Sequence, residues 1–301
     1  MDIEFRRPEL EDKQLIEQYL HMKKMMGCEM TFGNIYLWSR HYGVTFAVIN
    51  DMLVFKSSWG KNPSFVYPVG KGDVKAVIDT LEQYCAELGC KLHFHSVSEE
   101  QFAELDSLYP GKYEIEYMRD SADYVYELEK LVSLAGKKYH GKRNHINRFI
   151  ENNNWSYEAI TRHNLEDCFQ MALMWRKENL CDDDEGKTAE LCVTLNALRL
   201  FEELDFMGGL IRVDGEVIAF TIGEPLSDDT FVIHIEKAFS KIQGAYPMIN
   251  QQFLQHACMN YKYVNREEDM GSEGLRKAKL SYQPVFLVQK GVVKVKHPIS
   301  G

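Results

Sequence analysis

Acid–base chemistry needs ionisable groups held close together, and residues 231–237, Phe-Val-Ile-His-Ile-Glu-Lys, offer an imidazole and a carboxylate two positions apart. The β-branched and aromatic residues around them read as a strand, whose alternation puts His234 and Glu236 on one face. A carboxylate at a strand end is a candidate general base, and His234 a second base or a hydrogen-bond donor. An architectural role fits the same residues, with His234 hydrogen-bonded in the core and Glu236 paired with Lys237 or Arg276.

Three further stretches carry charge in patterns that bind anions. Residues 263–284 run from a short β-like segment through Arg266, Glu267, Glu268 and Asp269 to Gly271, then into a helix bearing Arg276, Lys277 and Lys279. Strand, turn, glycine and helix in that order aim backbone N–H groups and side-chain charge at one place. Three adjacent acids cannot all be buried without partners, so Glu267, Glu268 and Asp269 are expected to brace Arg276 and Lys279, which then hold phosphate or an oxyanion. A solvated charged loop is the alternative. Residues 131–150 contain Lys137, Lys138, Lys142, Arg143 and Arg148, two histidines, interleaved Tyr139 and Phe149, and no acid. Such a segment either grips the phosphates of a polynucleotide, a lipid headgroup or a cofactor pyrophosphate, or forms a solvated face paired with acids elsewhere. Finally, Lys-Ile-Gln-Gly-Ala-Tyr at 241–246 precedes a helix and sets Gly244 where a backbone could cradle an anion.

No metal centre is expected. The acids at 263–284 lack a completing histidine, and Asp182, Asp183, Asp184 and Glu185 have Gly186 in the wrong place for a calcium loop. The run at 182–185 reads as a solvated loop. The seven cysteines are scattered without a Cys-x-x-Cys, which fits small core residues in a reducing cytoplasm. A net charge of −10 excludes a whole-surface nucleic-acid binder but not a local basic patch. The N-terminus has no basic-then-apolar leader, and no stretch approaches the ~18 apolar residues of a membrane span. The expectation is a cytoplasmic protein whose membrane contact, if any, is peripheral.

The elements that must position these groups alternate between helical and strand periods. Helices are predicted at 10–26, 31–40, 73–88, 131–150, 165–179, 188–204, 245–261 and 272–281, with Ser98 capping another. Hairpins are predicted at 44–55 around Asn50-Asp51, at 209–223 around Asp214-Gly215, and at 285–296 around Lys290-Gly291. The two halves repeat one order of elements, and Leu10-Glu11-Asp12 recurs as Leu165-Glu166-Asp167. That order, helices flanking a mixed sheet, matches the acetyltransferase-like (GNAT) fold. The expected fold class is α/β: two tandem units, 1–150 and 151–301, with the basic 131–150 helix joining them and the site in the second.

Residues 215–220 (GEVIAF), 234–238 (HIEKA), 244–253 (GAYPMINQQF) and 265–284 (NREEDMGSEGLRKAKLSYQP), with 31–38 (TFGNIYLW) and 136–149 (GKKYHGKRNHINRF), resemble the C-terminal domain family of phosphatidylglycerol lysyltransferases. The resemblance covers nearly the whole chain. It implies an enzyme that takes an aminoacyl group from a charged tRNA and passes it to a lipid headgroup or another small acceptor. In that family an acid followed shortly by arginine closes the β4-like strand, and Glu236-Lys237 keeps the acid and changes the arginine. On this basis Glu236 is the expected base with His234 in reserve. Arg276, Lys279 and Gly244 hold phosphate or oxyanion, and Lys137, Lys138, Lys142 and Arg143 grip the tRNA acceptor arm or an anionic headgroup. Aminoacyl-tRNA is then the donor. An acyl-CoA-dependent N-acyltransferase is less favoured, because acetyl-CoA enzymes of this fold carry a second small residue where Tyr246 stands. A non-catalytic module that binds anionic ligands is the third reading.

Overall fold

Backbone sterics settle the first hairpin. Asn50 and Asp51 adopt left-handed φ of 48° and 58°, as a two-residue turn between twisted strands requires. So β1 (Thr45–Ile49) folds back on β2 (Met52–Trp59) from Ile49↔Met52 to Thr45↔Lys56. The computed structural model describes residues 3–179 and 185–296, so Cys181 and Asp182, Asp183 and Asp184 of the acidic run lie outside the described residues. The chain forms two compact units, one of Met1–Asp123, Glu268–Gly271 and Val288–Gly301, the other of Tyr124–Glu267 and Ser272–Leu287. Where the sequence suggested a division near residue 150, residues 124–150 belong wholly to the second unit.

In the first unit, β3 (Asn62–Val66), β4 (Val69–Gly70), β5 (His93–Val97), β6 (Tyr113–Tyr117) and β14 (Gly291–Val295) join β1 and β2 in one sheet. Its order is β1-β2-β3-β5-β14-β6, with β4 beside β2; β3 and β5 run parallel and their neighbours pair antiparallel. Helices α1 (Lys13–Leu20), α2 (Phe32–Tyr42), α3 (Val74–Glu87) and α4 (Glu99–Leu108) accompany it. Val77, Ile78, Leu81 and Cys85 of α3 share a core with Phe65, Phe94, Tyr113 and Val293 from the sheet. Ser98 caps α4 in a reciprocal box with Gln101, as expected.

The predicted closing hairpin at 285–296 does not form. β13 (Phe286–Val288) lies in the second unit's sheet and β14 in the first unit's. Lys290 is no exposed turn residue: it is buried, and its Nζ lies 2.7 Å from Asp123 Oδ1. An ion pair 167 residues apart in sequence outweighs the local Lys-Gly turn signal.

The second unit's sheet runs β13-β7-β12-β11-β10-β9-β8. These strands are β7 (Asp123–Glu127), β8 (Trp155–Ala159), β9 (Met207–Val213), β10 (Glu216–Ser227), β11 (Thr230–Ala238) and β12 (Tyr263–Asn265). Helices α7 (Leu165–Glu178), α8 (Glu185–Arg199), α9 (Ala245–Ala257) and α10 (Glu273–Leu280) follow the predicted positions. The predicted 131–150 helix instead breaks into α5 (Leu128–Ser133) and α6 (His140–Asn152). Leu134 and Gly136 between them hold positive φ of 47° and 97°, and a helix cannot pass through that region.

Two features of β11 matter for the site. It pairs in parallel with β12 only from Thr230↔Tyr263 to Val232↔Asn265, and β12 ends there while β11 continues to Ala238. Opposite β10, Ile222 pairs with Ile235 and Gly223 with Ile233, leaving His234 as an extra residue in a β-bulge.

Within the first unit, Ser64 Oγ lies 2.7 Å from Nδ1 of both His93 and His95. Burial, with Lys294 adding to it for His93 and His93 for His95, pushes both imidazoles down to about 4. Both are neutral when folded, whereas an unfolded histidine ionises near 6.5. The unfolded chain therefore binds more protons between those values, and stability falls as pH drops through that window. Urea midpoints at pH 7.5 and 5 should show a loss of about 1–2 kcal/mol per histidine, and His95→Gln should flatten the dependence. An equally steep dependence in the variant would contradict this.

Candidate active site

The chemistry concentrates where β11 outruns β12. The bulge at His234 breaks the period-two alternation on which a shared face with Glu236 rested, and the two side chains bond to different groups. His234 is buried, with Nε2 2.9 Å from Glu224 Oε1 and Nδ1 2.7 Å from Glu267 Oε1. Burial works against its charged form, but the hydrogen bonds to Glu224 and Glu267 outweigh it and push the imidazole up to about 10. It is an imidazolium at neutral pH with both nitrogens engaged, so it does not serve as a reserve base.

Glu236 faces Arg266. Arg266 Nη2 donates to Glu236 Oε1 at 2.8 Å, and each side chain is 12% exposed. Asn250 of α9, itself 1% exposed, donates from Nδ2 to Glu236 Oε2 at 3.0 Å. The sequence had offered Lys237 or Arg276 as the pairing cation. Lys237 instead bonds Glu190 of α8 and sits 3.9 Å from the Trp175 ring centroid. The arginine that meets the acid comes from the end of β12. Arg276 lies half-buried on α10.

The backbone around Arg266 is clamped. Its N–H donates to Tyr124 O at 3.0 Å and Tyr124 N–H donates to Glu267 O at 3.1 Å. Lys279 Nζ donates to the carbonyls of Arg266 at 2.5 Å and Glu267 at 3.1 Å. Lys279 thus holds the turn that follows β12. Glu267 stands at φ 57° with its carboxylate on His234. Asp269 pairs with Arg119, and Glu268 Oε2 lies 3.5 Å from Cys28 Sγ. Each of the three acids thus has a partner outside α10.

Two tyrosines and a lysine complete the cluster. The Arg266 guanidinium lies 4.7 Å from the Tyr282 ring centroid and 5.8 Å from that of Tyr126, and Lys142 Nζ lies 3.9 Å from Tyr282. Burial and then the Arg266 charge push the Lys142 amine down to about 8, with Glu236 partly offsetting them. Lys142 thus turns inward from the basic segment. Arg143 turns to the backbone, donating from Nη1 to the carbonyls of Leu134 and, at 2.8 Å, Gly136. Lys137 and Lys138 are exposed. Gly136, Lys137, His140 and Arg143 line an open hollow.

Asn250, Tyr126 and Tyr282 were not picked out from the sequence, and Arg266 was named only as one member of the charged stretch. Asn250 carried a signal, being a polar residue on the apolar face that Met248, Ile249, Phe253 and Leu254 define. Pairing Arg266 with Glu236 requires knowing that β12 lies beside β11.

A Cβ at Gly244 would meet His145 O at 2.4 Å and Phe149 Cβ at 3.0 Å, so α6 packs directly against this glycine. A φ of 87° adds to the demand for glycine. Among the described residues, Cys28, Glu29 and Asp123 of the first unit are grouped closely enough to ligate a metal. Lys290 Nζ lies 2.7 Å from Glu29 Oε2, 2.7 Å from Asp123 Oδ1 and 3.4 Å from Cys28 Sγ, supplying the positive charge there itself.

The family model described as phosphatidylglycerol lysyltransferase, C-terminal, matches residues 22–292. A crystal structure of a conserved protein of unknown function from Bacteroides thetaiotaomicron superposes with a TM-score of 0.93 at 38% identity, covering 98% of this chain and 100% of that one. The C-terminal domain of a putative lysylphosphatidylglycerol synthetase from Agrobacterium fabrum matches with a TM-score of 0.67 at 11% identity, covering 95% of this chain and 92% of that one. An uncharacterized protein from Mycoplasmoides gallisepticum is 27% identical over 192 residues, 62% of this chain and only 60% of that protein's length. The fold is the tandem GNAT-like architecture expected from the sequence, two mixed sheets flanked by helices.

Gly244→Ala should lower stability by roughly 2–3 kcal/mol, from overpacking and the positive φ together, read as a shift in urea midpoint. Acetyl-CoA should produce no thermal shift of the unaltered protein. A clear shift with acetyl-CoA would favour the acyl-CoA-dependent reading.

Proposed function

Because the chain belongs to the phosphatidylglycerol lysyltransferase C-terminal family, we propose that it is an aminoacyltransferase. It moves an aminoacyl group from the 3′ end of a charged tRNA to a lipid headgroup or another small hydroxyl or amine acceptor. One observation carries this reading: a carboxylate, a guanidinium and an amine tuned near neutrality meet at the place where β11 and β12 part.

Transfer breaks the ester C–O bond to the tRNA and forms a new bond from the acyl carbon to the acceptor. The acceptor proton must leave as its oxygen or nitrogen attacks, the carbonyl oxygen must carry negative charge, and the tRNA 3′ oxygen must regain a proton. Arg266 suits the second task. One of its terminal nitrogens holds Glu236, while Nη1 is buried without a hydrogen-bond partner, and a donor held in low dielectric stabilises a developing oxyanion strongly. Lys142 suits the proton transfers, since an amine near 8 is better matched to neutral pH than a carboxylate paired with arginine. The proton passes from acceptor to Lys142 Nζ and on to the leaving 3′ oxygen. Glu236 orients Arg266 and draws in the acceptor N–H or O–H. This moves the base expected at Glu236 to Lys142.

Lys137, Lys138, His140 and Arg148 form the exposed basic side of the 137–148 segment. They are proposed to contact acceptor-arm phosphates, with the anionic lipid headgroup as a second candidate partner. Among the described residues no helix is long and apolar enough to cross a membrane.

With a panel of charged tRNAs, tRNA-dependent deacylation in the presence of an acceptor should rise with pH and level off above about 8. Lys142→Met and Lys142→Arg should both lower it about 10²–10⁴-fold, the arginine keeping the charge but not the base. An ascending limb in the carboxylate range would return the base to Glu236. Neutralising Lys137 and Lys138 should weaken tRNA binding and reduce its salt dependence. An absence of tRNA binding at low salt would remove the donor from the proposal.

A further inference from the structure

Asn250 occupies an unusual position for an amide. It is 1% exposed on the apolar face of α9, among Met248, Ile249, Phe253 and Leu254. Its Nδ2 donates to Glu236 Oε2 at 3.0 Å. A carboxylate accepts hydrogen bonds and cannot donate when ionised, so this contact fixes which way the amide points. Asn250 Oδ1 is thereby directed away from Glu236, and it is buried with no hydrogen-bond partner. On the other side of the same carboxylate, Arg266 Nη1 is also buried and unpaired. One carboxylate is thus flanked by an orphaned acceptor and an orphaned donor, each of which is costly to leave unmatched in a folded interior.

We infer that Asn250 Oδ1 receives the α-ammonium of the transferred group, making Asn250 the residue that distinguishes an α-amino acyl group from a plain acyl group. The inference rests on the aminoacyltransfer reading and adds to it the basis of donor selectivity. An α-amino acyl ester places its ammonium and its carbonyl oxygen on adjacent carbons, so it presents a donor and an acceptor together. Arg266 Nη1 matches the oxygen and Asn250 Oδ1 the ammonium, while the nearby Glu236 charge favours a cation. An acyl group without the amine leaves Oδ1 unmatched, and N-acylation replaces the ammonium with a bulkier neutral amide. Buried polar groups built to pair with a ligand reject analogues that lack the partner. Apolar side chains around Asn250 leave the amide as the group on α9 that reads the ammonium.

Alaninamide, propionamide and N-acetylalaninamide serve as probes, titrated into the full chain and followed by NMR shift perturbation. Alaninamide should bind at least about tenfold more tightly than either analogue, the effect expected of one hydrogen bond to a charged group. Asn250→Leu should bring the three affinities together. Asn250→Asp, which keeps an acceptor oxygen, should retain the preference for alaninamide. A purely structural role would weaken all three ligands equally and leave their ratio unchanged, which would overturn the inference. So would the absence of any preference in the unaltered protein. If Asn250→Leu fails to fold, the unaltered protein and Asn250→Asp still decide the matter. Deacylation of alanyl-tRNA is measured in parallel: its absence alongside intact amine preference counts against the tRNA donor alone, whereas deacylation that accepts N-acetylalanyl-tRNA equally counts against Asn250 alone.

Discussion

The ion pair between Glu236 and Arg266 is the constraint around which the second unit's site is built. Burying two charges costs more than their attraction returns unless geometry and surrounding hydrogen bonds are good. Both partners are supported: Asn250 takes the second carboxylate oxygen, Tyr282 and Tyr126 flank the guanidinium, and Lys279 and Tyr124 fix its backbone. The short parallel contact of β11 with β12 explains why the pair can form at all. Full-length pairing would have put backbone hydrogen bonds where the guanidinium now enters.

A second charge layer supports the first. His234, held between Glu224 and Glu267, ties β10, β11 and the turn after β12 together. Because Glu267 adjoins Arg266 in sequence, fixing its carboxylate fixes the direction in which the arginine leaves the sheet. The left-handed φ of 57° at Glu267 is disfavoured for a residue with a Cβ, and the hydrogen bonds on its side chain and carbonyl offset that preference.

What could be read from sequence divides along the range of the interactions. Asn50-Asp51 and Asp214-Gly215 predicted their hairpins because turn geometry is set by two residues. Glu236 stood out by its place at a strand end. Its partner did not, because Arg266 is thirty positions away in sequence and meets it only once two strands are known to be neighbours. The bulge at His234 was invisible for the same reason: an extra residue is defined only against the strand it faces. Lys142 was seen as one of several cations, and nothing local distinguished the inward-facing one from its exposed neighbours. At Lys290-Gly291 the local signal was misleading, since the cost of leaving Asp123 buried without a cation exceeded what a turn offered.

The position of β14 has a consequence for biosynthesis. It lies between β5 and β6, yet it is made after the whole second unit. While the chain is emerging from the ribosome, β5 and β6 present unpaired edges, and their missing neighbour is more than 170 residues away. The first unit's sheet cannot close during translation of its own segment, so its folding waits on residues 291–295. Until then β5 and β6 carry open strand edges of the kind that recruit other strands, a liability set by the topology rather than by any single residue.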